Sequence, residues 1–313
     1  MRIGIDAMGG DFAPKSAVLG ALKACEALAG KATVVLYGNA EQIEQIILQE
    51  GGTVSNLEIV PTTEVISMGD HPAKAFQHKT DSSITIGFRH LQSGKIDAFA
   101  SAGNTGAMMV GTMYTIKAIP GIMRPSIATP VPKLSGNKNG TLLDVGLNSD
   151  CKPDVLYQYG ILGNLFAKHF YEIEKPKVCL LNIGEEEEKG NLLTKATYEL
   201  MKDCIHFNFA GNIESNDLFS DKADVIVCDG FTGNIVLKQV ESFYSIAKQL
   251  NFNHPYIETF NYENHGGTPV LGVNAPIVIG HGASTVRAIK NMVIQTYTIT
   301  ESKLTEKIKQ AFQ

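Results

Sequence analysis

The chain has 313 residues, 44% of them hydrophobic and 19% charged, which is ordinary globular composition and excludes a disordered protein. A formal net charge of −5 argues against a broad nucleic-acid surface and leaves only local basic patches for acidic partners. Thirty glycines against twelve prolines point to many tight strand-to-helix turns rather than to a linker protein.

In chain order, residues 2–6 read as a strand, 14–28 as a helix, 33–37 as a strand, 41–50 as a helix and 57–61 as a strand. A helix at 82–92, a strand at 97–101 and a helix at 105–116 follow, then strands at 126–131 and 141–145. The pattern continues with a helix at 153–170, a strand at 178–183, a helix at 192–202 and strands at 206–210 and 224–228. A helix at 234–250, a strand at 276–279 and a long helix at 285–312 close the chain. In the last, Val286, Ile289, Val293, Leu304, Ile308 and Phe312 fall close to helical spacing. Such alternation predicts an α/β fold, a three-layer α/β/α sandwich around a mainly parallel, doubly wound sheet. No linker, repeat or low-complexity tract interrupts it, so 1–313 is expected to form a single continuous α/β unit.

Five scattered cysteines without a CxxC pair read as reduced thiols. The N-terminus reaches Asp6 without a signal peptide's apolar core, and the stretch 107–123 carries Lys117 and Pro120 and falls short of a membrane span. The expectation is a cytoplasmic protein, peripheral to a membrane at most.

The strand ends carry the information. Six apolar runs finish in small polar turns: Asp6-Ala-Met-Gly9-Gly10-Asp11, Ser101-Ala-Gly103-Asn104-Thr105-Gly106, Asp144-Val-Gly-Leu-Asn148, Gly211-Asn-Ile-Glu214, Asp229-Gly-Phe-Thr-Gly-Asn234 and Gly280-His281-Gly-Ala-Ser284. In a parallel sheet these turns share one edge, where the free N–H groups of following helices favour an anion and glycine admits close approach of a ligand. A single turn of this kind is only a connection; six together predict an anionic-ligand site. The P-loop, GxGxxG, GxSxG and HExxH patterns are absent, and the histidines lack metal-ligand spacing, so no metal or cofactor is expected. Lys79 and Lys189 are the candidate cations. Lys79 precedes a helix start capped by Asp81 or Ser82, and Lys189 follows the acidic run 185–188, where a surface ion pair competes with a role at the site. His281, between two glycines just after a strand, reads as exposed.

Together with Leu142-Leu-Asp-Val-Gly146 and Glu187-Glu-Lys-Gly-Asn191, these motifs resemble the bacterial phosphate acyltransferases of phospholipid synthesis, over residues 1 to about 285. The resemblance implies reversible transfer of a fatty acyl group from acyl carrier protein to inorganic phosphate. The acyl phosphate then feeds a membrane glycerol-3-phosphate acyltransferase. It also implies a fold like phosphotransacetylase and isopropylmalate dehydrogenase, and a homodimer. Phosphate is already a nucleophile and a thioester is already activated, so positioning and oxyanion stabilisation suffice. Lys189, His281 and Asn234 are therefore the catalytic candidates. Asp6, Gly9, Gly10, Asp11, Lys79, Gly103, Asn104, Thr105, Gly106, Asn148, Asp229 and Ser284 are the candidates for phosphate or substrate. For an acidic carrier protein, Arg124, Lys133 and Lys138 in or near the loop 131–139 form the best cationic patch.

Two departures from the family pattern stand out. The segment 239–264 is short, and Lys248 is its only Lys or Arg against Glu241, Glu258 and Glu263, which argues against electrostatic attraction to a membrane. Leu147-Asn148-Ser149 replaces the expected smaller residue and Asn-Ala/Val-Asp. Competing readings are a short-chain phosphotransacetylase using coenzyme A, a hydroxyacid dehydrogenase, and a non-catalytic module that binds acyl carrier protein.

Overall fold

The computed structural model describes residues 1–51, 55–136 and 138–313. In chain order its elements begin with β1 (Arg2–Asp6), α1 (Lys15–Leu28), β2 (Thr33–Gly38), α2 (Ala40–Gln49) and β3 (Leu57–Pro61). Then come α3 (Pro72–His78), α4 (Ser83–Gln92), β4 (Ala98–Ser101) and α5 (Thr105–Gly111), which runs on as a π-turn over Thr112–Ile116. The middle holds β5 (Ser126–Val131), β6 (Gly140–Leu143), α6 (Pro153–Phe170), β7 (Lys177–Leu181), α7 (Leu192–Met201), β8 (Asn208–Ile213) and β9 (Val225–Val227). The last third holds α8 (Gly230–Gln249), α9 (Pro255–Glu258), β10 (Thr268–Leu271), β11 (Ile277–Ile279), α10 (Val286–Glu301) and α11 (Leu304–Ala311).

Where one continuous unit was expected, contacts gather into two compact units, and neither is a continuous stretch. Residues 1–118 and 262–301 form the first; 119–261 and 302–313 form the second. Because the chain crosses between folded elements, no linker composition marks the division.

In the first unit the strand order is β3-β2-β1-β4-β11-β10, parallel except for the β10–β11 hairpin. Gly4 in β1 leaves room for Phe99 and Tyr37, whose rings a Cβ would meet at 3.0 Å, and Gly87 lets α4 settle on Phe99. Phe88 and Phe99 meet edge to face at 5.3 Å and Tyr37 and Phe99 at 5.9 Å, so that layer is aromatic. Ile3 and Ile5, fully buried, alternate with Gly4 and face the other side. α10 packs there tightly enough on α1 that a Cβ on Gly20 would come 2.5 Å from Ile289.

In the second unit the order is β5-β6-β9-β7-β8, parallel except for the β5–β6 hairpin. Gly163 of α6 sits over Val225 and Leu143, which places that helix close against the middle of the sheet. The turn expected at 211–214 lies mostly inside β8. The β7–β8 register shifts between Val178 and Leu180, and Gly211 at φ 92° takes up the extra residue as a bulge. The long helix expected over 285–312 is two helices, broken where Lys303 turns to φ 54°. Helix α8 starts four residues before its expected beginning, because Asp229 caps it by accepting from the Thr232 N–H. Among the described residues no helix is long and apolar enough to cross a membrane.

Candidate functional site

Each unit builds its polar turns around one buried aspartate at a strand end. In the first unit that residue is Asp6. Its Oδ1 accepts the Met8 N–H at 3.0 Å and its Oδ2 the Ser101 hydroxyl at 2.6 Å, while the Gly103 N–H donates to Ser101 Oγ at 2.9 Å. Burial raises the Asp6 carboxyl above the ordinary aspartate range, and these hydrogen bonds oppose the shift. Gly9 and Gly103 pack directly on it: a Cβ on Gly9 would lie 2.3 Å from Asp6 Oδ2 and 2.7 Å from the Gly103 nitrogen. Asp6 thus fastens two turns together from beneath and offers no free carboxylate.

Around this post the first unit assembles most of the candidates its sequence suggested. The Asp11 N–H donates to the Gly282 carbonyl at 2.8 Å, which joins the turn after β1 to the turn after β11. Gly10, at φ 107°, supplies the left-handed step there. His281 is exposed, lies against Tyr262 with ring centroids 4.8 Å apart, and its Nδ1 accepts the Ala283 N–H at 3.2 Å. That bond leaves the ring proton on Nε2 in the neutral form. Ser284 is buried and donates to the His281 carbonyl at 2.6 Å, so its hydroxyl shapes this turn.

Asn104 and Lys79 prove to be builders of the same region. Asn104 caps α5 through Ala107 N–H at 2.9 Å and donates its amide to the carbonyls of Ser67, Met68 and Asp70 at 3.0–3.3 Å. Lys79 reaches the Val65 carbonyl at 2.7 Å and Asp70 Oδ2 at 2.6 Å, and this hydrogen bond holds Asp70 below the ordinary aspartate range. Both side chains are thus committed to the 65–70 loop, which the sequence reading did not connect with them. Thr105 is exposed at the start of α5, and Gly106 lets Pro72 approach, since a Cβ would meet its ring carbon at 2.3 Å.

In the second unit the corresponding residue is Asp144, fully buried and absent from the candidates. Its Oδ1 accepts the Ile127 N–H at 2.9 Å and its Oδ2 the Asn148 N–H at 2.6 Å, and burial again raises its carboxyl. The signal was available: Asp144, like Asp6, is an acid at the end of an apolar strand beside a glycine turn. Asn148 also bonds the Pro125 carbonyl through its amide at 2.7 Å and accepts the Gly230 N–H at its carbonyl at 2.8 Å. Gly230 presses on Asp144 much as Gly9 presses on Asp6, a Cβ there meeting the carboxylate at 2.7 Å. Asp229 caps α8, and Asn234, exposed one turn later, lies beside Gly146. Lys189 is exposed, its stem lying over Gly184 and its carbonyl accepting from Asn182 Nδ2 at 3.1 Å. The ion pair expected in its acidic run belongs instead to Lys222 and Glu185, at 2.6 Å.

The cationic patch on the 131–139 loop needs correction. Lys133 is buried at 6% exposure and paired with Asp224, itself buried, with Asp221 at 4.0 Å. It is an internal ion pair and presents no charge to a partner. Lys138 is exposed but donates to the Glu172 carbonyl at 2.8 Å, and Arg124 is exposed with a 3.3 Å bond to the Asp150 carbonyl. Asn137 lies outside the described residues.

Residues 1–255 match the family described as "Fatty acid synthesis protein". The chain is 41% identical to a phosphate acyltransferase of Thermoanaerobacterium thermosaccharolyticum, over 96% of this chain and 93% of that one. A phosphate acyltransferase of Dictyoglomus turgidum is 39% identical over 98% and 96%. The chain belongs to the phosphate acyltransferase family. It is therefore an enzyme, an acyltransferase of fatty acid and phospholipid synthesis. Solved structures agree on the fold: a phosphotransacetylase from Streptococcus pyogenes superposes with a TM-score of 0.65 at 16% identity, covering 98% of this chain and 94% of that one. A branched-chain phosphotransacylase from Enterococcus faecalis gives 0.61 at 13%, covering 96% and 99%. The acyltransferase is thus an α/β protein with a phosphotransacetylase-like fold, as its strand–helix alternation predicted.

Proposed function

We propose that the acyltransferase moves a fatty acyl group reversibly between acyl carrier protein and inorganic phosphate. The observation that carries this reading is the pair of glycine turns packed on Asp6 and Asp144, which set Gly103 just before the start of α5 and Gly230 at the start of α8, at the positive ends of those helix dipoles. Such turns suit a dianion better than a neutral ligand. In the reaction a phosphate oxygen attacks the thioester carbonyl carbon, the carbonyl oxygen becomes an oxyanion, and the C–S bond then breaks. The carrier thiolate leaves with the proton that phosphate gives up, so nothing is oxidised and no enzyme nucleophile is consumed.

Lys189, exposed on its glycine-flanked loop, is the proposed cation for phosphate or the oxyanion. Asn234 and the His281 Nε2–H are proposed hydrogen-bond donors. Gly10, Thr105 and Gly106 offer backbone or hydroxyl contacts, Gly9 and Gly103 pack on Asp6, and Asp6, Asn104, Lys79, Asn148 and Ser284 hold the turns in shape. With Lys133 internal, carrier docking falls to Arg124 and Lys138.

The test is phosphate-dependent loss of acyl-acyl carrier protein with one acyl phosphate formed per donor consumed. A folded sample that turns over acetyl-coenzyme A and ignores long-chain carrier donors would favour the phosphotransacetylase reading instead. Lys189→Met should keep the fold and lower kcat/KM for phosphate by a factor corresponding to about 2–4 kcal/mol. Unchanged kinetics would return Lys189 to the solvated surface.

We further propose that the working form is a homodimer. Helix α8 buries only Gly230 and Gly233, while Phe231, Ile235, Phe243 and Ile246 stand exposed at helical spacing.

A further inference from the structure

The second unit contains a cleft of about 340 Å³ at the ends of β7 and β9, beneath the first turns of α7 and α8. That volume lies at the lower end of small-ligand pockets, roughly 300–1,000 Å³. Its apolar lining is Leu156 from α6, Leu180 and Leu181 from β7, Ile183, Val236 from α8, and Cys228. Most of the polar side chains around it, Ser215 aside, are already committed. Asn182 donates to the Lys189 carbonyl and accepts the Ile183 N–H at 2.9 Å. Asn191 Oδ1 accepts the Thr194 N–H at 2.9 Å, and the Thr194 hydroxyl turns back to the Asn191 carbonyl at 3.2 Å. Asp229 receives both the N–H and the hydroxyl of Thr232 at 2.9 Å.

These commitments decide what the cleft can hold. The one charged side chain lining it is Asp229, and no lysine or arginine lines it among the described residues, so phosphate is repelled rather than captured. An amide-rich arm such as that of the carrier's prosthetic group would leave its own donors and acceptors unpaired against these walls. A hydrocarbon chain loses nothing there and gains burial at roughly 25 cal/mol per Å².

Resting on the proposed acyl transfer, we propose that this cleft receives the acyl chain of the donor and sets the chain length the enzyme accepts. Gly190 and Asn191, which line it, adjoin Lys189 in sequence, so the cleft borders the loop that carries the proposed cation. Val236, half-buried on α8, and Thr194, half-buried on α7, are the two positions from which a larger side chain fills the space.

The experiment uses the whole chain and the fluorescent fatty acid cis-parinaric acid as probe, titrated into wild type, Val236→Phe and Thr194→Phe, each first shown to melt cooperatively. Wild type is expected to bind the probe, and each substitution to weaken binding at least tenfold. In parallel, the ratio of kcat/KM for a sixteen-carbon over a short-chain carrier donor should fall at least tenfold in both variants. Absence of probe binding by wild type, equal binding by all three proteins, or an unchanged length ratio would each overturn the assignment. If no donor turns over with phosphate in wild type, the acyl-transfer reading fails, and probe binding lost in the variants then still places an alkyl chain in the cleft.

Discussion

Lys133 and Lys138 lie five positions apart on the same hairpin and do opposite things. Lys133 faces Asp224 across the unit, 91 positions away in sequence, and that partner explains why its burial was not legible from the loop alone. Removing one member of a buried pair strands the other, so Lys133→Met should cost about 3–5 kcal/mol in urea unfolding. Lys138→Met, on the surface, should stay within about 0.5 kcal/mol. Equal stabilities for the two variants would mean that Asp224 finds solvent without its lysine. Asp6 makes a different prediction, about pH. Its carboxyl is raised in the folded chain, so its contribution to stability is fully present below the unfolded aspartate pKa and is lost as pH rises through the folded value. Asp6→Asn, which cannot ionise, should therefore lack this component. The stability of wild type relative to the variant should fall as pH is raised from acid through that window, then level off. Chemical denaturation at a series of pH values reads it directly, and a flat difference would mean that burial does not bias this carboxyl.

At the scale of elements, the long periodic segments were legible and the short ones were not. Residues 2–6 and 153–170 have the bounds expected of them, because a strand of isoleucines alternating with Gly4 between Arg2 and Asp6, and an eighteen-residue amphipathic helix, each carry their own period. β10 was missed since it has four residues, follows Gly266-Gly267 and contains Pro269. α3 is a seven-residue helix opened by Pro72, too short to show a stripe. The turns of the candidate site were readable as glycine punctuation, but what each glycine touches was not. Gly9 and Gly69 make the contrast testable. A Cβ on Gly9 would press into the Asp6 carboxylate and the Gly103 backbone, whereas one on Gly69 meets nothing within 4 Å. Gly9→Ala should cost about 1–3 kcal/mol and depress turnover, and Gly69→Ala should match wild type in melting and kinetics. A Gly9→Ala protein with native stability would show that the Asp6 post yields more easily than its packing suggests.

For the whole molecule, the discontinuous division of the chain has a direct consequence for truncation. The first unit needs 262–301, which supply β10, β11 and α10; β11 pairs in parallel with β4, and α10 covers α1. A chain ended at residue 261 should therefore lose the cooperative melt of the first unit, although it keeps 118 of that unit's residues in unbroken sequence. Circular dichroism and limited proteolysis of the 1–261 fragment would show it. A fragment that melts as sharply as the full chain would mean that the two strands and the helix are accessory.

The same threading puts a clock on synthesis. At roughly 5–20 residues per second, a ribosome takes about ten to forty seconds to pass from residue 118 to residue 301. Through that interval β1 to β4 are already made, but β4 is an open edge and the face of α1 that will meet Ile289 is wet. The second unit's 119–261 emerges meanwhile, and its own closing helix, α11, follows α10 after two residues. Both halves thus finish almost together, within a dozen residues of one another, and until then the nascent chain offers an apolar helix face and an unpaired strand to any chaperone that waits at the exit.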